Sequence, residues 1–361
     1  MDNQSDIENG QNTKKTWIIA SVSILIVILF FVSVFLYASS KKNSDKKQVN
    51  TPSELIITQR IPVFKQNEPF EYEIKRKIGF RGNFKKLKLS VAIPSNVNLR
   101  QKVSEVQITP APDEIVNKDN KRMAVYNFKQ PPSVFNITLK GSAAAQTYTI
   151  EKAMKLNKNI DGQLSERDLK KYTSPENKIE SDSFKVKKAA KSIRDGKSRI
   201  ETVKNIFDFV DNKLTYDKNL KNSDRGANAA VFAGSGTSNE FAALFAALCR
   251  AKNIPARVVR GYSLPFEDNV RKEYDPQAWV EVWFDEYGWV NFDPIISYDE
   301  KINSYIRQNN LSYFDIANAS SSKRNYMIYD HSDIHIDYDA DDSSGVGMTN
   351  DGSIITLKKK N

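Results

Sequence analysis

The stretch Gly234–Tyr262, "GSGTSNEFAALFAALCRAKNIPARVVRGY", decides how the chain is read. It opens on a glycine turn. Thr237 and Glu240 then form the pattern T-x-x-E, a capping box that predicts a helix start. Phe241, Leu244, Phe245 and Leu248 recur at helical spacing and mark the buried stripe. Asn253 and Pro255 end the helix, and "ARVVRGY" reads as a strand. A turn, a capped helix start, an apolar helix and a strand leave Ser238 in the first helical turn, where nucleophiles are often held.

Downstream, "QAWVEVWF" and "GWVNFD" read as two strands joined at "DEYG", with Gly288 suited to a left-handed turn. Upstream, Ile200, Val203, Ile206, Phe207, Val210 and Leu214 fall on one helical face of "RIETVKNIFDFVDNKLTYD", whereas the amphipathic signals just before it are weak. Helices followed by antiparallel strands predict an α+β domain, assigned to 156–361 with an acidic C-terminal tail. Between 53 and 155 the runs "LIITQ", "FEYEIKRKI", "LKLSVAI", "MAVYNF" and "FNITLKG" are short and β-rich, and are broken by Pro, Asn, Asp and Gly. They predict an all-β sandwich or barrel.

The first 52 residues are of another kind. Residues 1–16 form a short tail. From Trp17 to Ser40 no residue is charged. At about 1.5 Å rise per residue this run is long enough for a hydrocarbon core of about 30 Å, so it predicts a single-pass transmembrane helix, with Trp17 and Tyr37 at the interfaces. Ala38 and Ser40 resemble a signal-peptidase site, but the apolar run is longer than an ordinary signal core. Residues 41–52 form a polar linker. Lys41, Lys42, Lys46 and Lys47 outnumber Lys14 and Lys15, and that count alone would hold the C-terminal side inside the cell.

Composition excludes several kinds of chemistry. The chain has 361 residues, a net charge of +10, one cysteine (Cys249) and two histidines (His331 and His335). A single cysteine rules out internal disulfides and multi-cysteine zinc sites. Basic residues cluster at Lys75–Lys88 and Lys187–Arg199, and the stretch 329–342 is acidic. Such clusters are most simply solvated faces. No nucleic-acid signature accompanies them, and no nucleic-acid partner is expected. "DYDADDSSG" has Asp342 where a calcium loop needs glycine and Met348 where it needs glutamate, so it reads as a solvated tail. Neither metal nor cofactor is expected. Trp279, Trp283 and Trp289 read as the core face of a sheet rather than as a groove lining.

The blocks "SGTSNEFAALFAALCRAKNIPARVVRGY", "QAWVEVWF" and "GWVNFDP" keep the order and spacing of the transglutaminase-like core, which this chain resembles. "FVDNKLTYD" resembles the helix leading into that core. "VAIPSN", "QKVSEV" and "KDNKRMAVYNF" resemble the β domain that precedes it in exported bacterial members. The resemblance implies a papain-like fold and an extracytoplasmic location for the bulk of the chain. It also implies acyl transfer or peptide hydrolysis in active members, through a cysteine, a histidine and an aspartate. Those three positions fall on Ser238, Gln277 and Asp293.

Two of the three roles are changed. A hydroxyl can act as a nucleophile, but only with a base to take its proton. An amide such as Gln277 cannot do so near neutral pH. The degenerate triad implies a catalytically inactive, membrane-anchored protein that binds a protein, peptide or cell-wall component. The alternative is a serine-dependent amidase, protease or acyltransferase with an unmapped base. Replacement groups are few. Cys249 is roughly 16 Å along the helix from Ser238. Glu281 lies about 13 Å along the strand from Gln277. His331 or His335 would have to fold back from the tail. A third reading makes the β domain the binding module and the core a spacer.

Overall fold

The computed structural model describes residues 69–361 apart from 105, 119–120, 221–222, 266–272, 299–313, 315–323, 329–333, 341–345 and 360–361. The expected membrane helix at 17–40, the linker at 41–52 and the run at 55–59 lie outside the described residues. Among the described residues no helix is long and apolar enough to cross a membrane.

Strand β1 (Phe70–Arg81) alternates in and out, burying Phe70, Tyr72, Ile74 and Ile78. Strands β2 (Lys86–Ile93) and β7 (Val134–Ala145) carry the same period of two over most of their length, whereas β6 (Lys121–Phe128) is buried without interruption from Met123 to Tyr126. They assemble into two antiparallel sheets. In the first, β7 lies between β1 and β3 (Gln101–Val103), and β4 (Gln107–Thr109) also pairs with β7. In the second, β6 lies between β2 and β5 (Glu114–Lys118). One core fills the space between the sheets: Ile74, Leu89, Val91 and Leu139 are fully buried, with Tyr126 and Phe135 packed edge to face. Burying each such side chain contributes about 1.5–3 kcal/mol. Of the sandwich and the barrel that the sequence leaves open, the strands form two packed sheets.

The acidic C-terminal stretch is not the solvated tail that its composition suggests. Ile334–Asp339 forms strand β15, paired antiparallel to β2, and Gly347–Lys359 forms β16, paired to β1 along nearly its whole length. Ile334 and Ile336 face the sandwich core while Asp337 and Asp339 face out. Asp337 lies opposite Lys88, and Asp339 opposite Lys86. The acidic run and the early basic cluster are therefore cross-strand partners, and opposite charges at such positions stabilise pairing.

Between 150 and 192 three short helices appear, each capped by a side chain: α1 (Ile150–Leu156) by Thr149, α2 (Glu166–Thr173) by Ser165 and α3 (Phe184–Ser192) by Ser183. Helix α4 (Arg199–Lys213), capped by Ser198, buries Ile200, Val203, Ile206, Phe207 and Val210, as its spacing predicts, and Leu214 just beyond it is buried too. Helix α5 (Ala227–Ala233) ends at Gly234, whose φ is 68°. Helix α6 (Ser238–Ala251) is buried from Phe241 to Arg250 on every side. A helix apolar all round belongs in the centre of a domain. Here it lies between helices α3, α4 and α5 and a sheet ordered β13 (Gly288–Phe292), β12 (Gln277–Phe284), β10 (Ala256–Pro265), β14 (Arg324–Ile328). Phe245 touches Phe207 on one side and Phe292 on the other.

Gly288 turns the β12–β13 hairpin at φ 82°, and a Cβ there would lie 2.5 Å from the Asp161 carboxylate. That carboxylate accepts the Trp289 N–H at 2.9 Å. Trp279, Trp283 and Trp289 are buried, as core residues of the sheet.

Side chains join the sandwich to the central sheet. The Gln101 amide accepts the Ile328 N–H at 2.8 Å and donates to the Ile328 carbonyl at 3.0 Å, completing the outer edge of β14 as a strand would. Arg100 pairs in a fork with Asp161, at 3.0 and 2.7 Å, and lies 3.4 Å from Glu281.

Candidate active site

The turn before α6 sets the site. Residues Ser235–Gly236 form β9, which pairs in parallel with β8 (Thr215–Tyr216). Gly236 is required by crowding: a Cβ there would lie 2.4 Å from the Glu240 Cβ. Thr237 and Glu240 close the capping box. Glu240 is fully buried and accepts five hydrogen bonds: from the Ser223 hydroxyl at 2.5 Å, the Arg225 N–H at 2.8 Å and Nε at 3.3 Å, and the Thr237 N–H and hydroxyl at 2.8 Å each. Burial alone would raise its pKa; the bonds from Ser223, Arg225 and Thr237 outweigh it and bring the carboxyl down to about 2. Asn239 and Thr237 also bond the Ser223 carbonyl, at 2.8 and 3.3 Å. The loop before α5 is thereby fastened over the helix start. Ser223 and Arg225 were missed by sequence reasoning, because nothing in their local pattern marks them as partners of a residue on another element.

Ser238 is the first residue of α6 and only 6% exposed. Its Oγ accepts the backbone N–H of Ala278 at 3.2 Å. Gln277, the neighbour of Ala278, is the half-buried first residue of β12. Asp293 follows the last residue of β13, where Phe292 lies opposite Val280 of β12. The three positions expected from the sequence therefore fall together, at the helix start and the adjoining ends of two paired strands. Asp293 is buried, and its Oδ1 accepts the Ile295 N–H at 3.1 Å.

The possible replacement groups are elsewhere. Cys249 is fully buried, and burial pushes its thiol pKa well up. Glu281 is 1% exposed and held by Arg257 at 2.7 Å as well as by Arg100. Arg257 in turn lies 4.2 Å over the Trp289 ring. His335 is exposed on β15 and bonds Asp337 at 2.9 Å; His331 lies outside the described residues. A cleft of about 920 Å³ opens between the 90–98 segment of the sandwich and β10, lined among others by Tyr172, Lys178, Arg257 and Glu281. Ser238, Gln277 and Asp293 do not line it.

Residues 187–294 match the transglutaminase-like superfamily core. This transglutaminase-like domain holds α4–α6 and the strands β10, β12 and β13. Its fold, with the sandwich, recurs in a candidate cysteine protease from Cytophaga hutchinsonii, at 18% identity and a TM-score of 0.50 over 82% of this chain and 99% of that one. The periplasmic domain of TgpA from Pseudomonas aeruginosa is a more distant neighbour, with 15% identity and a TM-score of 0.35 over 68% of this chain and 99% of the other. No curated protein matches the chain.

Proposed function

We propose that this chain is a membrane-anchored, extracytoplasmic transglutaminase-like protein that has lost acyl-transfer catalysis and uses the retained framework to bind a protein, peptide or cell-wall component. The observation that carries the reading is the bond from the Ala278 N–H to Ser238 Oγ, formed at the place where a nucleophile would meet its base. The neighbouring side chain is the amide of Gln277, which cannot take up the hydroxyl proton. Loss of a general base alone typically costs about 10²–10⁴ in rate. Meanwhile the supports of the helix start, Gly236, Thr237 and Glu240, are intact. The uncharged run from Trp17 to Ser40 supports the anchor, and the resemblance to exported members supports the location.

The test is amine incorporation into glutamine peptides, and peptide cleavage, by the full chain in detergent. The expected turnover equals that of Ser238→Ala. Turnover that disappears in Ser238→Ala, with an acyl-serine probe attached at Ser238, would establish the serine-dependent alternative instead. A binding screen with cell-wall fragments and peptides then uses Gln277→Trp as a blocked control, and unchanged binding by that variant would move the ligand away from this site.

A further inference from the structure

Helix α3 buries Val186, Ala189 and Ala190 against the domain and turns the rest of its surface outward. Lys185, Lys187, Lys188 and Lys191 are exposed on it, and the first residue, Phe184, is 80% exposed. A single exposed apolar side chain is ordinary. Here a second lies on the neighbouring helix: Phe232 of α5, which packs against α3, is 75% exposed, and the ammonium of Lys185, the residue next to Phe184, lies 3.7 Å over its ring. The first turn of α3 holds no acid. Lys155, Lys204 and Lys252 elsewhere pair with carboxylates. Among the described residues, no ion pair engages the four lysines of α3. Arg194 and Lys197 are exposed just beyond it, on either side of Asp195, which is paired with Lys252.

We propose that this face seats on an anionic lipid surface. Phe184 and Phe232 enter the headgroup boundary, and the α3 lysines lie on the lipid phosphates. The arrangement is an apolar wedge ringed by ammonium groups, the composition that favours interfacial binding to acidic lipids. Two protruding rings offer no groove to a folded partner, whereas a fluid surface needs none. Helix α5 runs directly into the turn before Ser238, so seating would hold that turn near the lipid.

The experiment uses the full chain reconstituted in nanodiscs, with a bimane label on Lys188→Cys. Buried Cys249, its thiol pKa raised, stays unlabelled. A lipid-borne nitroxide reports seating by quenching. Strong quenching is expected in discs rich in phosphatidylglycerol, with little in phosphatidylcholine discs or at high salt. Lys185→Gln and Lys191→Gln should each lower the seated-to-free ratio about fivefold. Phe184→Ser with Phe232→Ser should abolish quenching while the thermal transition is unchanged, since both rings are exposed. Equal quenching in the two lipids, or quenching that survives loss of both phenylalanines, overturns the proposal. So does a label indifferent to lipid but shielded by an acidic polypeptide, which would mark a protein interface.

Discussion

At Glu240 a single carboxylate holds the candidate site in shape. Its folded pKa, about 2, lies below the ordinary value of 4.5. A depressed acid contributes stability that is fully present above the unfolded pKa and is lost as pH falls through the folded one. Glu240 should therefore contribute about 3 kcal/mol above pH 4.5, and progressively less between 4.5 and 2. Urea denaturation of the native chain and Glu240→Gln checks this: the gap between them should be wide at neutral pH and narrow on acidification. A gap independent of pH would show that the amide loses only packing. Gly236→Ala tests the other half of the same contact. Its Cβ has no room beside Glu240, so a loss of about 1–3 kcal/mol is expected, read from the denaturant midpoint. Beside these supports, the pair Ser238→Cys and Gln277→His restores a thiol and an imidazole at the two changed positions. If the framework is intact, the double variant gains amine incorporation well above that of either single change, because Ser238→Cys leaves a thiol without a base and Gln277→His leaves only the weaker hydroxyl nucleophile.

Between elements, the buried charges decide the architecture. Arg100 comes from the sandwich, Asp161 from the connection after α1, and Glu281 and Arg257 from paired strands of the central sheet. Removing one member of a buried pair leaves the others uncompensated, typically at about 3–5 kcal/mol. Arg100→Ala should lose stability on that scale in a denaturant titration, and more than Arg257→Ala, since Arg100 serves two carboxylates. None of this was legible in the sequence, because ion pairs between distant segments leave no local pattern. The capped helix α6, the α4 face and the Gly288 hairpin were legible, since periodicity, capping residues and turn glycines act within a few residues. Ser238, Gln277 and Asp293 are singled out by motif order and spacing, which act over the whole domain. The C-terminal strands were missed for a physical reason: Ile334, Ile336 and Tyr338 alternate with His335, Asp337 and Asp339, but this short run sits in an acidic stretch whose composition reads as solvated.

For the molecule as a whole, the return of the chain end matters most. β16 covers one side of β1 and β15 closes one edge of β2, so the sandwich built by residues 70–145 is completed by residues 334–359. The transglutaminase-like domain is inserted between the two halves of the sandwich. The core of the sandwich includes Ile355 from β16 and Tyr262 from β10, which ties the two parts together. A chain stopped after residue 323 keeps every candidate site residue but loses β14, β15 and β16. It would expose the backbone edges of β1 and β2 and uncover Ile74 and Leu89, leaving open edges that favour aggregation. The expectation is an aggregating product in which the inserted domain is also destabilised, as the Gln101–Ile328 bridge is gone. Limited proteolysis and hydrogen exchange check it. In the native chain, β1 and β16 should exchange together as one cooperative unit. If the truncated chain keeps native protection in α6, the two parts are energetically independent and the insertion is only topological.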